Sequence, residues 1–421
     1  MGYTWNIMTR AYCRRDFLHT TAALAVSAGI PARALGAEDG GGLIAEIQRQ
    51  VIFNGRRTRT TWFHPRPCRL PAEPHPAVLM TLQTISGSDV FGHVHWTESR
   101  DLGKTFSSPQ PIPGLGRRTI EPGYEEGVCD VVPEHHPPTN TVLAIGHNVY
   151  YRNGALAQPQ GPRWPVYVVR DAKGNWSAPA RLEWDDPRAT QIYTCGCGQR
   201  WTLDDGHVLI PLSFAPRGKT NRSVTTVRAW FDGRRLEIRE VGSVLDHRAG
   251  RGLLEPSLVR FGPRYYLTLR AEDQRGYVST SDDGLHWDKP EPWCFDDGQP
   301  LTMSTTQQHW VAHRDGLFLV YTRRDASNVN VFRWRAPLFI AQVDVASRRL
   351  RRDSEQVVLP LVGDGVGEAR RVARMGNFHT LNVTPEESWV TVGETLPADG
   401  WAGDTLLARV RWTRPNGLLD R

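Results

Sequence analysis

The chain has 421 residues, a formal net charge of +6, and 39 Gly, 30 Pro and 15 Trp against six Cys. That length buries a sizeable core unaided, so a small disulfide-stapled scaffold is excluded, and the many turn formers and aromatic plates point to all-β architecture. Residues 1–37 hold four basic side chains (Arg10, Arg14, Arg15, Arg33) and one acid (Asp16), which leaves 6 − 3 = +3 for the remainder and no expected nucleic-acid partner.

The first element in chain order is an address label. Arg14-Arg15-Asp16-Phe17-Leu18 precedes a weakly apolar run from Thr20 to Ile30 and the small-residue sites Ala32-Arg33-Ala34 and Ala34-Leu35-Gly36. This reads as a twin-arginine signal over residues 1–37, cleaved on export. The run is too short to span a bilayer and no later segment reaches spanning length, so no stable membrane insertion is expected. The mature protein is expected in the periplasm or outside the cell. Residues 38–50 read as a linker and 51–421 as one domain. Loss of Cys13 leaves an odd number of cysteines, so at least one thiol stays unpaired.

A recurrent hairpin then organises the chain. Val51-Ile52-Phe53 is a strand expected to pair with Leu406–Trp412 and close a ring, removing two open edges. Short β-rich runs follow turn-forming clusters at Ala77–Leu82, Thr141–Gly146, His207–Leu212, Tyr265–Arg270, Leu317–Thr322 and Ser388–Gly393. Asp204-Asp205-Gly206 and His313-Arg314-Asp315-Gly316 are examples of the tight connections before them. Measured at Val78, Val142, Val208, Tyr266, Phe318 and Trp389, the steps are 64, 66, 58, 52 and 71 residues. Six units of that size, each with room for about four strands, describe a six-bladed β-propeller.

A second repeat is a turn. Ser99-Arg100-Asp101-Leu102-Gly103-Lys104-Thr105-Phe106 fits Ser-x-Asp-x-Gly-x-Thr-aromatic, and Thr280-Ser281-Asp282-Asp283-Gly284-Leu285-His286-Trp287 fits it with His for the second Thr. A worn copy lies at Asp171–Trp176. The Asp carboxylate accepts N–H bonds within the turn, Gly takes the positive-φ position, and the ring plugs the blade. The element resembles the Asp-box of the sialidase superfamily, whose fold is a six-bladed propeller. Such turns sit on the outer rim and speak for fold.

What the resemblance implies for chemistry is an arginine triad on the substrate carboxylate, a Tyr nucleophile activated by a Glu, and an Asp acid/base. Cys68-Arg69-Leu70-Pro71 looks like the family's Arg-Ile-Pro opening, which makes Arg69 the first triad member. Asp89, ten residues before the Ser99 turn, falls where the family has its acid/base. Leu254-Glu255-Pro256-Ser257 and Leu267-Thr268-Leu269-Arg270 resemble the stretch with the activating Glu255 and the second arginine, Arg270. The third arginine is Arg335, with Arg333 on the same strand face as the alternative. Guanidinium forks suit this task because they bind carboxylates bidentately and stay charged. The sixth unit departs from the family: Arg374-Met375-Gly376-Asn377-Phe378-His379 has Phe378 where the nucleophilic Tyr is expected. His379 or Glu255 then replaces it, or the reaction is inverting.

Other residues carry weaker signals. Arg374, and Gln308 and His309 beside Trp310, suit a sugar's charge and hydroxyls; Glu125-Glu126-Gly127-Val128-Cys129-Asp130 offers carboxylates for acid/base work or a strand cap. Gly196 and Gly198 in Tyr193–Gln199 imply close approach of backbone to a ligand, or a bulge. Cys195 and Cys197 read as buried thiols, and His93 and His95 as structural. His147-Asn148 and Glu394 end their strands on the side expected to face away from the channel. No cofactor motif appears, and neither cofactor nor metal is expected. The resemblance implies an exo-acting glycoside hydrolase whose partner is a glycan or glycoconjugate with a terminal, anionic sugar. A non-catalytic carbohydrate-binding propeller and a hydrolase for a non-sialic sugar stay open beside it.

Overall fold

A computed structural model of the chain describes residues 42–419. The signal reading at 1–37 lies outside the described residues. Six antiparallel sheets follow one another along the chain and stand as the blades of a propeller. Their innermost strands are Trp62–Leu70, Tyr124–His136, Ile192–Thr194, Leu254–Phe261, His309–His313 and Phe378–Thr384. The outermost strand of the sixth blade comes from the other end of the chain. Ile44–Phe53 pairs antiparallel with Thr405–Trp412, Ile44 opposite Trp412 and Val51 opposite Leu406, and so closes the ring. Residues 44–50, read as linker from the sequence, belong to this strand.

The second strand of every blade coincides with one of the six repeated runs, for instance Val208–Ala215 and Gly316–Tyr321. Every residue of both is buried. A strand with a neighbouring blade on each face needs apolar side chains in both directions, so these segments read as continuous runs rather than alternating ones. The blade interfaces are correspondingly apolar. Ile145, Val169, Ile210 and Val227 join the second and third blades, and Val320, Ile340, Val390 and Val410 join the fifth and sixth. Val78 meets Trp389 and Leu407 where the first blade packs on the sixth, completing the circle.

The repeated turns are built as the chemistry of their residues demands, with one shift of register. Asp101 accepts the Thr105 N–H at 2.9 Å and its hydroxyl at 2.6 Å, and the Ser99 hydroxyl donates to Asp101 at 2.9 Å. In the later copy the carboxylate at work is Asp283, not Asp282: it accepts N–H bonds from Leu285 and His286, each at 2.8 Å, and the Ser281 hydroxyl at 2.9 Å. That copy is one residue tighter between Asp and Gly. Asp171 accepts from the Lys173 and Asn175 N–H groups at 2.9 and 2.8 Å in the same manner. No helix among the described residues is long and apolar enough to cross a membrane. The five described cysteines are all free.

Candidate active site

Three innermost strands break register at corresponding places. The first bulges between Phe63 and Arg66, the second between Cys129 and Val132, the fourth between Leu254 and Ser257. Each bulge holds a non-glycine residue in the left-handed region: His64 at φ 52°, Asp130 at 54° and Glu255 at 43°. Such backbone costs about 1–3 kcal/mol per residue and persists where surroundings enforce it, and bulges re-aim side chains beside functional sites. Asp89 joins them at φ 56°, at the tip of the turn between Ala77–Gly87 and Val90–Ser99.

Asp89, Asp130 and Glu255 line one cavity of about 640 Å³, to which all six blades contribute. The floor carboxylates are held ionised. Burial opposes the charge on Asp130, but paired His64 and Arg66 outweigh it and keep the carboxyl well below its usual range. The contacts are 3.0 Å to Arg66 and 3.3 Å to His64, whose Nε2 also meets the Asn377 amide at 2.6 Å. Burial likewise opposes the charge on Glu255, and Arg270 at 2.5 Å outweighs it. Glu272 is paired with Arg251 at 2.5 Å.

Basic side chains are in excess. Eight line the cavity against four carboxylates, and among the described residues no carboxylate lies within ion-pair distance of Arg335, Arg374, Arg163 or Arg222. Burial, together with Arg270 and Arg333, pushes the Arg335 guanidinium down to about 9. It stays charged at neutral pH, and its surroundings favour an anion. At the rim Phe332 is 47% exposed and carries Arg374 over its ring at 4.2 Å and Arg333 at 5.1 Å.

Of the residues singled out in the sequence, Asp89, Glu255, Arg270, Arg335 and Arg374 line this cavity, as does the alternative Arg333. Four do not. Arg69 lies at the far end of its strand, opposite Val78, and its Nε donates to the Val383 carbonyl at 3.1 Å; Phe63, at the strand's other end, is the residue facing the cavity. The Arg-Leu-Pro match was therefore displaced along the strand. Gln308 is buried and accepts the Thr268 hydroxyl. His309, fully buried, meets the Ser257 hydroxyl at 3.2 Å, and its ring lies 4.8 Å from that of His379. His379 is 3% exposed, and burial holds its imidazole neutral, so it is a packing residue and no nucleophile for a ligand in the cavity. Phe378 is also fully buried, and its neighbour Asn377 faces the cavity instead.

The sequence reading set His147 aside as pointing away from the channel. Its strand, Thr141–Arg152, runs on past the expected end, and His147 lines the cavity opposite Cys129 in register. Cys129 Sγ and His147 Nε2 are 3.3 Å apart, and with Asp130 they form a trio whose ligand-type atoms lie within 4.8 Å of one another. Donors of these types could hold a divalent ion, but Arg66 and Arg163 bear on the same atoms and Asp130 is already engaged, so the cationic surroundings oppose one. Burial and Arg163 take the His147 imidazole down to about 3, and burial raises the Cys129 thiol, leaving both neutral. Gly198 needs its missing side chain for a reason other than a ligand: a Cβ there would stand 1.8 Å from the Pro256 carbonyl oxygen of the next blade. Cys195, pushed up to about 12 by burial, is an inert thiol.

No family model matches the chain, and no curated protein matches its sequence. Solved structures do match. A protein of unknown function from Dyadobacter fermentans DSM 18053 aligns over 88% of this chain and 100% of its own, at TM-score 0.61 and 12% identity. Trypanosoma rangeli sialidase aligns over 87% of this chain at TM-score 0.60 and 15% identity, and the match spans 60% of that enzyme. The Hadza microbial sialidase Hz136 covers 86% of this chain and 68% of its own at TM-score 0.61 and 13% identity. At such identities the likeness establishes the fold, a sialidase-type six-bladed propeller.

Proposed function

We propose that the chain is an exo-acting glycoside hydrolase that removes a terminal, anionic sugar from a glycan, exported through its twin-arginine signal. One observation carries the reading: a rim carboxylate, two ionised floor carboxylates, the Glu255-paired Arg270, and Arg335 and Arg374 without a carboxylate partner share one cavity. Arg270, Arg335 and Arg374 clamp the sugar's carboxylate bidentately. Phe332 offers the ring face an exposed aromatic plate. Asp89, at the exposed tip of its turn, assists departure of the leaving oxygen, while Asp130 and Glu255 meet the positive charge that develops at the anomeric carbon. Glu255 is the carboxylate that attacks or directs water, since Arg270 both holds it and brings it to the clamped sugar.

A second reading, a carbohydrate-binding propeller without chemistry, is favoured by one observation: no tyrosine stands among the residues lining the cavity. The discriminating experiment is hydrolysis of aryl glycosides, a sialoside and a glucuronide included, by the mature protein and by Asp89→Asn. Asp89→Asn is expected to lower kcat roughly 10²–10⁴-fold on the active substrate. Cleavage of a non-sialic glycoside alone keeps the hydrolase and changes its sugar. Binding of sugars with no turnover anywhere in the panel makes the binding propeller the correct reading.

A further inference from the structure

The cavity's arginines without a carboxylate partner fall into two groups on facing walls. Arg333, Arg335 and Arg374 come from the fifth and sixth blades; Arg163 and Arg222 come from the second and third. In a ring of six, these pairs of blades stand opposite one another. A single carboxylate has two oxygens and is saturated by the first group with Arg270.

Arg163 and Arg222 are built into the frame by the same device. Each lies on a parallel bridge to the blade that follows, Arg163 with Ile192 and Arg222 with Gly252. Arg163 N–H donates to the Gln191 carbonyl at 3.0 Å and its own carbonyl accepts from Tyr193 at 3.0 Å. Arg222 N–H donates to the Arg251 carbonyl at 2.8 Å and its carbonyl accepts from Leu253 at 3.0 Å. Both side chains thus rise from rigid backbone and line the cavity, and Arg163 Nε is further held by the Asn148 carbonyl at 3.2 Å, as a preorganised ligand site requires.

The cavity's carboxylates do not serve them: Glu272 is taken by Arg251, Glu255 by Arg270, and Asp130 by Arg66. Burial, and then the neighbouring Arg163, Arg251 and Arg270, push the Arg222 guanidinium down to about 9. Cations are gathered here against their mutual repulsion, and no carboxylate among the described residues is within ion-pair distance of Arg163 or Arg222.

We propose that Arg163 and Arg222 form a second anion subsite, which takes a carboxylate or sulfate ester on the sugar adjoining the one removed. The substrate is then a polyanionic glycan rather than a neutral one with a single acidic cap. This rests on the cavity being the glycan site, as proposed above, and it adds the substrate class.

The test compares affinities by isothermal titration within two probe pairs: sialic acid against its α2,8-linked dimer, and glucuronic acid against a sulfated chondroitin disaccharide. In at least one pair the two-anion probe is expected to bind about tenfold tighter or more, as charge-assisted contacts allow. Arg222→Gln and Arg163→Gln erase that gain and leave the single-anion probe unchanged, whereas Arg335→Gln weakens both members. The pair that shows the gain tells carboxylate from sulfate. Equal affinities within both pairs, or a gain that survives Arg222→Gln, overturns the subsite. Failure of the catalytic reading shows separately, as absent turnover with these affinities intact.

Discussion

Half-buried arginines in this molecule live in two different ways. In the body of the blades each comes with its own acceptors. Arg409 holds Glu387 at 2.6 Å and the Leu102 carbonyl at 2.7 Å, and Arg323 holds Glu355 at 2.5 Å. In the cavity Arg335 and Arg222 have no carboxylate, and their guanidiniums are pushed down to about 9, while those partners raise that of Arg323. A buried charge without a partner costs stability. Retaining several in one cavity fits the proposed function, in which a ligand supplies the missing anion.

That contrast is open to attack from four directions. The largest effect belongs to the paired set. Arg409→Met leaves the buried Glu387 with only the Trp389 indole and the more distant Arg411, and is expected to cost about 3 kcal/mol in denaturant unfolding, with ligand affinity unchanged. Equal stability of that variant would remove the distinction altogether. In the cavity the signs reverse. Arg335→Met is expected to lower affinity for the anionic sugar roughly 100-fold, about 2.7 kcal/mol, while the melting temperature holds or rises. Melting curves and titration on the same preparation check both halves.

Next comes pH. The folded His147 titrates near 3, far below an unfolded histidine at about 6.5, so the unfolded chain binds the extra proton throughout that window. Stability from this residue is present above the window and is lost as pH falls through it, by about 2 kcal/mol at pH 5. Unfolding of wild type and His147→Asn at pH 7 and pH 5 should show the variant losing less. The smallest effect lies on the rim, where Asp101→Ala removes the acceptor of the Ser99–Phe106 turn and should cost about 1 kcal/mol without touching binding. Loss of binding in that variant would mean the rim turn is coupled to the cavity.

The architecture was readable because it is local and repeated. Each second strand carries its own apolar run and its own turn, and six such runs at even spacing need no knowledge of what they touch. The closure of Val51–Phe53 on the last strand was also legible, although its start at Ile44 was hidden by the polar Glu46, Gln48, Arg49 and Gln50. The cavity was legible only where a residue sits in a recognisable turn or strand end, as with Asp89, Glu255 and Arg270. Arg69 misled because a three-residue match gives no direction along a strand. The Asp282 assignment failed because a turn one residue tighter leaves the same letters in place. Arg163, Arg222 and Phe332 stand in connections with no periodicity, and only the ring brings them to one cavity. His147 needed the true length of its strand.

The strand Ile44–Phe53 gives the chain an unusual timetable. It is among the first segments to be synthesised, yet its partner is the last strand, and Ile44 meets Trp412 across 412 − 44 = 368 residues. At ribosomal rates of 5–20 residues per second it waits about 20–75 s for a partner to exist. Throughout that wait it is a bare edge that any other strand could join. Of its exposed residues only Ala45 and Val51 are apolar, while Glu46, Gln48 and Arg49 are polar or charged, which makes it a poor template for other chains. The letters that concealed the strand are those that let it wait.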